Sequence, residues 1–237
     1  HHSQPIMHYA IIAAGEGSRL KHEGINVPKP LVRVGGSTLI ERLTGIFRSR
    51  HDCESVSVII SPEVAACAPE IDADHVVTAS TSGSMHSLHR LAPCLKGCGR
   101  FCLTTVDTVF DPTEFDRYID AYAADTGTYD GYMGVTTYID DEKPLYVSAD
   151  REGTVTGYFD TPVEGAGYIS GGIYALPESA LEILDECMAA GKTRMRDLQR
   201  ALVASGMRLK AWSFGLIIDI DHASDIDKAA RLLSPTP

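Results

Sequence analysis

The segment Ala13-Ala14-Gly15-Glu16-Gly17-Ser18-Arg19-Leu20 has the composition of an anion-binding turn: small residues and two glycines, then an arginine. Glycines at the C-terminal end of a strand let main-chain N–H groups approach phosphates closely, and a cation just beyond them suits a polyphosphate. Two common phosphate loops do not fit. The Walker pattern G-x-x-x-x-G-K-[ST] needs a spacing and a lysine that are not here, and the dinucleotide fingerprint G-x-G-x-x-G needs a glycine where Leu20 stands. Glu41 lies near the distance of that fingerprint's acidic residue, which alone says little. A second cation follows in Pro28-Lys29-Pro30-Leu31, where prolines stiffen the flanks.

The elements that must hold these residues can be read from apolar periodicity. His8–Ala13 reads as a buried strand, Thr38–Arg50 as an amphipathic helix built on Leu39, Leu43, Ile46 and Phe47, and Ser55–Ile60 as a second strand. Helical patterns at Glu63–Ala68 and Ser84–Leu91 surround a short strand at His75–Thr78. A strand at Phe101–Val106 precedes a helix over Pro112–Ala124. This β-α rhythm predicts a mostly parallel sheet covered by helices.

After Asp125 the pattern changes. Gly131–Tyr138, Leu145–Ala149, Thr154–Phe159 and Tyr168–Leu176 read as strands divided by turn residues, so a mixed patch precedes helices at Glu178–Ala190 and Met195–Ala204. Strands Leu209–Phe214 and Leu216–Asp219 and a helix over Ser224–Leu233 close the chain. No Pro- or Ser-rich linker divides it. At 237 residues, one α/β domain over residues 7–237 is the economical reading. Its parts are residues 7–125, residues 126–215, and a closing strand and helix over 216–237; residues 1–6 read as an expression-tag remnant.

Composition narrows the partners. Lys and Arg total 21 against 32 Asp and Glu, a net charge of -11, which disfavours nucleic acid and anionic membranes. No apolar run approaches the roughly 18 residues of a membrane-spanning helix. An anionic ligand must therefore meet local cations or a bridging metal. The six cysteines, Cys53, Cys67, Cys94, Cys98, Cys102 and Cys187, form no C-x-x-C pair and no zinc pattern, and their scatter suits a reducing, cytoplasmic setting. Cys94, Cys98 and Cys102 are spaced by four, but Gly97 and Gly99 interrupt any helix that would align them.

Taken together, G-E-G-S-R-L after the first strand and P-K-P-L soon afterwards resemble the nucleotidyltransferase superfamily that makes nucleoside-diphosphate sugars and related activated head groups. The family's signature is G-x-G-x-R-L followed by P-K-P-L. The resemblance implies a Rossmann-like, three-layer α/β/α fold, as in GT-A-like nucleotidyltransferases, with a nucleotide-binding half up to about residue 125 and an acceptor-binding half up to about 215. It implies that Ala13, Ala14, Gly15, Glu16, Gly17 and Arg19 hold a nucleoside triphosphate and that Lys29 touches the phosphates at the reacting centre. Asp107, after Thr104-Thr105-Val106, matches the family's magnesium aspartate, although Val106 stands where glycine is usual. Asp219-Ile220-Asp221, followed by His222-Ala223-Ser224-Asp225-Ile226, is similar to the family's D-x-D-T-P-E-D-L close. It gives Asp219 as the second ligand, with Asp221 as the second choice. Carboxylates from separate strand ends suit Mg²⁺, a hard cation that keeps phosphate oxygens and water in its shell.

The same resemblance places the base-reading loop at Thr81-Ser82-Gly83-Ser84-Met85-His86-Ser87-Leu88, with Ser82 and Gly83 as contacts. It places the acceptor beside Gly172 in Ile169-Ser170-Gly171-Gly172-Ile173-Tyr174. The family's E-K-P, near the acceptor phosphate, corresponds to Asp160-Thr161-Pro162, without the lysine; Glu142-Lys143-Pro144 has the letters but lies earlier. Each assignment has an ordinary structural counterpart. Lys29 could be a solvated lysine, Asp107 a turn residue, Asp221 and His222 a helix entrance, Ser84 a helix cap, and Gly172 a β-bulge. Nine of the ten tyrosines fall between Tyr118 and Tyr174, where aromatic faces could enclose a ligand or simply pack.

The implied activity is Mg²⁺-dependent transfer of a nucleoside monophosphate from a triphosphate to a phosphorylated acceptor, first a sugar 1-phosphate. Phosphocholine cytidylyl transfer, molybdenum cofactor nucleotidyl transfer and a GT-A glycosyltransferase are the alternatives, ahead of a non-catalytic nucleotide-binding protein or a nicotinamide oxidoreductase. The base and any homo-oligomer are left open.

Overall fold

The computed structural model describes residues 6–67, 70–138 and 143–234. In chain order the first half holds β1 (Met7–Ala13), α1 (Ser18–His22), a 3-10 turn over Lys29–Leu31, the small hairpin β2 (Arg33–Val34) and β3 (Ser37–Thr38), and α2 (Leu39–Arg48). It continues with β4 (Cys53–Ile60), α3 (Pro62–Cys67), β5 (His75–Thr78), α4 (Ser84–Leu91), β6 (Arg100–Thr105), β7 (Thr108–Val109) and α5 (Pro112–Ala124). The second half holds β8 (Gly131–Thr136), β9 (Tyr146–Ala149), β10 (Val155–Phe159), β11 (Tyr168–Pro177), α6 (Ala180–Ala189), α7 (Met195–Ala204), β12 (Leu209–Phe214), β13 (Ile218–Asp219) and α8 (Ala223–Leu233).

Strand β1 shows why the domain has three layers. Successive side chains of a strand point to opposite faces. Tyr9, Ile11 and Ala13 enter one core with Leu43 and Phe47 of α2, Phe115 and Tyr118 of α5, and Ala229 of α8. Ala10 and Ile12 enter the other, with Leu88 of α4, Leu184 of α6 and Leu198 of α7. A strand buried on both faces needs the near-continuous apolar run that β1 has.

The sheet runs β10-β9-β11-β6-β1-β4-β5, with β8 on β11 and β12 on β8. In the first half β6, β1, β4 and β5 are all parallel, and in the second β11 is antiparallel to β6, β8 and β9. Ile169 pairs with Tyr146 of β9 and Thr136 of β8, while Tyr174 pairs with Leu103 of β6 and Met133 of β8. Strands β6 and β9 therefore share one edge of β11, one taking over where the other stops. The register shifts between Ser170 and Tyr174, so the sheet opens at Gly171 and Gly172. Crevices at the C-terminal ends of parallel strands are where α/β folds place ligands.

Several expected boundaries move. The strand expected to Tyr138 ends at Thr136, that expected from Leu216 starts at Ile218, and the helix expected from Glu178 starts at Ala180. The stretch Lys29–Leu31, with Pro28 at its N-cap, is a 3-10 turn. Helix α4 has Gly83 at its N-cap with no side-chain cap, so the Ser-capped start is corrected. Glu41 completes a capping box with Thr38 at the start of α2, which accounts for it without a ligand. Tyr118 and Tyr122 belong to α5, in the first half of the chain, and are fully buried. Residues 1–5, Ala68 and Glu142 lie outside the described residues. Among the described residues no helix is long and apolar enough to cross a membrane, and no three His, Cys, Asp or Glu side chains form a metal cluster.

Candidate active site

The glycine loop turns sharply because Gly17 adopts φ 62° and ψ 37°, the left-handed conformation that glycine takes without penalty. That conformation starts α1, whose Leu20 is buried and anchors the helix. The absence of a side chain at Gly17 also makes room for Lys29: a Cβ there would lie 3.0 Å from the Cβ of Lys29. No non-neighbouring atom comes within 4 Å of the Cβ position of Gly15, which leaves the loop open to a bulky anion.

Lys29 reaches between two carboxylates. Its Nζ donates to Asp107 Oδ2 and to Asp221 Oδ1, at 3.3 Å each, and the three side chains are only 16%, 23% and 27% exposed. A solvated lysine does not do this. Burial alone would lower the pKa of the ammonium; Asp107 and Asp221 outweigh that effect and hold it above the ordinary lysine value. Asp219 sits on the same rim and accepts from Thr108 Oγ1 at 3.3 Å, while Thr108 is bonded in turn to Thr105 Oγ1 at 2.6 Å.

Main-chain bonds join the two acidic segments. Strand β13 pairs with β7, with Asp219 opposite Thr108, and Asp225 accepts the amides of Asp221 and His222 at 3.0 and 2.8 Å. Asp225 is 5% exposed, so a buried carboxylate fixes the bend that presents Asp221. Glu23, just after α1, accepts the amide of Ala223 at 2.8 Å and pairs with His222 at 3.3 Å. The exit of α1, the helix after the glycine loop, is thereby fastened to the entrance of α8.

Two clefts flank this centre. One, about 530 Å³, is lined by Gly15, Glu16, Gly17, Lys29, Thr81 and Val106, among others. The other, about 430 Å³, is lined by Lys143, Ser170, Gly172, Arg194, Arg196 and Gln199, with Asp219 and Asp221. Ser82, Gly83, Ser84, Thr105 and Asp107 line both, so the clefts meet at Asp107 and at the N-terminus of α4. The loop before α4 is pinned by Thr81 Oγ1 against Ser87 Oγ at 2.6 Å and by the Ser82 amide donating to His86 Nδ1 at 3.1 Å.

The sequence-predicted residues thus gather unevenly. Gly15, Glu16, Gly17, Lys29, Ser82, Gly83, Asp107, Asp219, Asp221 and Gly172 line the paired clefts. Ala13 is buried in β1, and Ala14 is buried beside the loop. Arg19 is exposed on α1 and does not line either cleft. Asp160 does not line the second cleft; its Oδ1 is held by Arg196 at 2.7 Å and Arg200 at 2.9 Å. Gly172 is both a bulge residue and a cleft residue, and a side chain there would collide with the Thr105 and Thr108 hydroxyls. Sequence reasoning missed Arg194 and Arg196, whose only signal is two cations at the start of a helix in an acidic chain.

This architecture, a parallel half-sheet with a glycine turn and a mixed half joined at paired carboxylates, is that of a nucleotidyltransferase. Residues 9–204 match the model of the MobA-like NTP transferase domain, and the chain belongs to that family. No curated protein sequence matches it. Among solved structures, the inositol-1-phosphate CTP transferase from T. maritima is 18% identical with a TM-score of 0.78, covering 99% of each chain. A UDP-glucose pyrophosphorylase complexed with UDP-glucose is 15% identical with a TM-score of 0.75, covering 95% of this chain and 97% of that one. A nucleoside-diphosphate-sugar pyrophosphorylase from Vibrio cholerae RC9 is 17% identical with a TM-score of 0.69, covering 94% and 99%. These likenesses confirm the Rossmann-like α/β fold.

Proposed function

We propose that the protein transfers a nucleoside monophosphate from a nucleoside triphosphate to a phosphorylated acceptor, a sugar 1-phosphate in the first instance, releasing pyrophosphate and a nucleoside-diphosphate sugar. The observation that carries this reading is the meeting of the two clefts at Asp107, with Lys29 reaching in from the nucleotide side. The triphosphate lies in the first cleft along Gly15–Gly17, with its base toward Ser82 and Gly83. Arg19, exposed on α1 just after the loop, is assigned to the triphosphate by the motif alone, and the acceptor lies in the second cleft beside Gly172.

An acceptor phosphate oxygen attacks the α-phosphorus in line, the bond to the bridging oxygen breaks, and pyrophosphate leaves. The phosphate monoester is already an anion, so the site needs no general base and no covalent intermediate. Its work is positioning and charge neutralisation. Lys29 supplies a fixed cation at the reacting centre. Asp107 and Asp221 are a pair of hard oxygen donors, with Asp219 on the same rim but not clustered with them as a third ligand, and the ammonium of Lys29 between the pair marks a place that a cation suits. Mg²⁺ held there would neutralise phosphate charge.

The test is pyrophosphate release across four nucleoside triphosphates and a panel of phosphate monoesters. Release that needs both a triphosphate and a phosphorylated acceptor is expected. Transfer from a nucleotide sugar without pyrophosphate release would replace this reading with a glycosyltransferase.

A further inference from the structure

Lys29 holds two carboxylates at once. Its Nζ donates to Asp107 Oδ2 and to Asp221 Oδ1 at the same distance, 3.3 Å. A divalent ion would claim those same oxygens, at about 2.1 Å from each. An ammonium and a divalent cation that close repel each other, so the two do not share the pair. For an ion to enter alone, Nζ must leave, and an ammonium this buried is costly to strand without a partner. Asp107 lines both clefts, Asp221 only the second and Lys29 only the first, so the ammonium reaches across the junction from the side of the glycine loop.

A second place for Nζ lies on that loop. The Lys29 side chain runs against Gly17: from the point where a Gly17 Cβ would stand, Lys29 Cβ is 3.0 Å away and Cε 3.7 Å. Nζ is one bond beyond Cε, within reach of an anion seated on Gly15–Gly17. The backbone need not move for this. Leu31 donates its amide to the Pro28 carbonyl at 2.8 Å and Val32 to the Lys29 carbonyl at 3.0 Å, which closes the 3-10 turn, and Pro30 is buried. What turns is the side chain, a point charge on a flexible stem. The carboxylate side is held more firmly, because Asp225 fixes the bend that presents Asp221. Lys29 is therefore the partner that moves.

We infer that Lys29 is a gate for the divalent cation: it closes Asp107 and Asp221 to the free ion and opens them when an anion on Gly15–Gly17 draws its ammonium back, so that ion and triphosphate enter together. The inference rests on the proposed transferase reading for the identity of that anion; the closing of the two carboxylates does not depend on it. Lys29 thus acts before the reaction as well as in it. Two ligands that each remove an obstacle to the other are coupled reciprocally. The triphosphate frees the carboxylates, and an ion seated on them leaves the ammonium to the phosphates.

The probe is Mn²⁺, whose free aquo form is read by electron paramagnetic resonance, titrated into the full chain at neutral pH without nucleotide. Wild type is expected to take it up weakly. Lys29→Met and Lys29→Gln, the second keeping a hydrogen-bond donor for the carboxylates, should each bind it about tenfold more tightly or better, within the usual range of coupling between sites. Adding Asp107→Asn to either should cancel the gain. Calorimetry with an unreactive triphosphate analogue, in EDTA and in Mn²⁺, should show a larger gain from the ion in wild type than in Lys29→Gln; an equal gain overturns the inference. Equal Mn²⁺ affinity in wild type and both variants, no uptake by any of them, or a gain that survives Asp107→Asn overturns it as well. Uptake unmasked in the variants while no triphosphate yields pyrophosphate supports the closed carboxylates and removes the transferase reading alone. Pyrophosphate release by an enzyme whose Mn²⁺ affinity is indifferent to Lys29 does the reverse.

Discussion

The main-chain amide of Ile220 donates to the carbonyl of Asp107 at 2.9 Å. One hydrogen bond thus joins the turn that follows β6 to the segment between Asp219 and Asp221, and the β7–β13 ladder continues the junction with Ile218 opposite Val109. The carboxylates keep their spacing because their backbones are paired, whatever their side chains hold.

Because the backbone sets that spacing, Asp107→Asn and Asp221→Asn should fold normally while losing turnover by roughly 10²–10³-fold, the scale of removing one preorganised electrostatic partner. Circular dichroism and melting would check the fold, and pyrophosphate release the rate. Chelation with EDTA should abolish activity and added Mg²⁺ restore it. An Asp107→Asn enzyme working at the wild-type rate would remove the metal assignment.

Gly17→Ala forces a side chain into the left-handed region, at a cost of about 1–2 kcal/mol, and presses its Cβ toward Lys29 at 3.0 Å. The expected result is a lower melting temperature together with a higher triphosphate KM. Gly15→Ala, with open space around it, should leave the melting temperature nearly unchanged and weaken only the nucleotide.

The pH profile should be one-sided. Asp107 and Asp221 hold Lys29 above the ordinary lysine value, so it stays charged through neutral pH and its contribution fades only in strong alkali. A phosphate monoester takes up its second proton near about pH 6, so kcat/KM for the acceptor should fall about tenfold per unit below that point and stay flat to about pH 9. A basic limb near neutrality would contradict the Asp107–Lys29–Asp221 arrangement.

Stability depends on a different cluster. Arg50, 4% exposed at its side chain, binds Asp52 at 2.8 Å and also reaches Asp116 and Asp120, while Tyr9 Oη donates to Asp52 at 2.7 Å. Arg50→Ala strands the buried Asp52 carboxylate, which costs about 3–5 kcal/mol. At about 2–4 °C per kcal/mol for a domain of this size, the melting temperature should fall by about 6–20 °C. Arg50→Met together with Asp52→Leu, which removes both charges, should recover much of it.

The β-α order and the helix Pro112–Ala124 were legible because amphipathic helices carry a strong period, as in α2, and a doubly buried strand carries a continuous apolar run, as in β1. The hairpin over Arg33–Thr38 and the 3-10 turn at Lys29 were not, since two- and three-residue elements have no period to read. Within the site, Gly17, Lys29 and Asp107 stood out by motif, and the geometry puts them together. The motif put Asp219 ahead of Asp221, and the structure adds what spacing could not show: Asp221 meets Lys29 while Asp219 accepts from Thr108. That difference depends on a bend set by the buried carboxylate of Asp225 accepting two amides. The place of Arg196 in the cleft wall was invisible because the partner that holds it, Asp160, lies 36 residues away.

The fastening of Glu23 to Ala223 spans 200 residues of chain. Contacts of such separation form late, since the entropy of closing the intervening chain must be met first. Emerging from the ribosome, the phosphate loop and its helix would be complete for most of synthesis while still lacking their brace and the carboxylate at Asp221. A nucleotide could therefore meet a finished site only after residue 225 had folded back. Under the proposed transferase reading the chemistry would arrive only at the end of assembly, because a half-made chain lacks the cleft rim that carries Asp219 and Asp221.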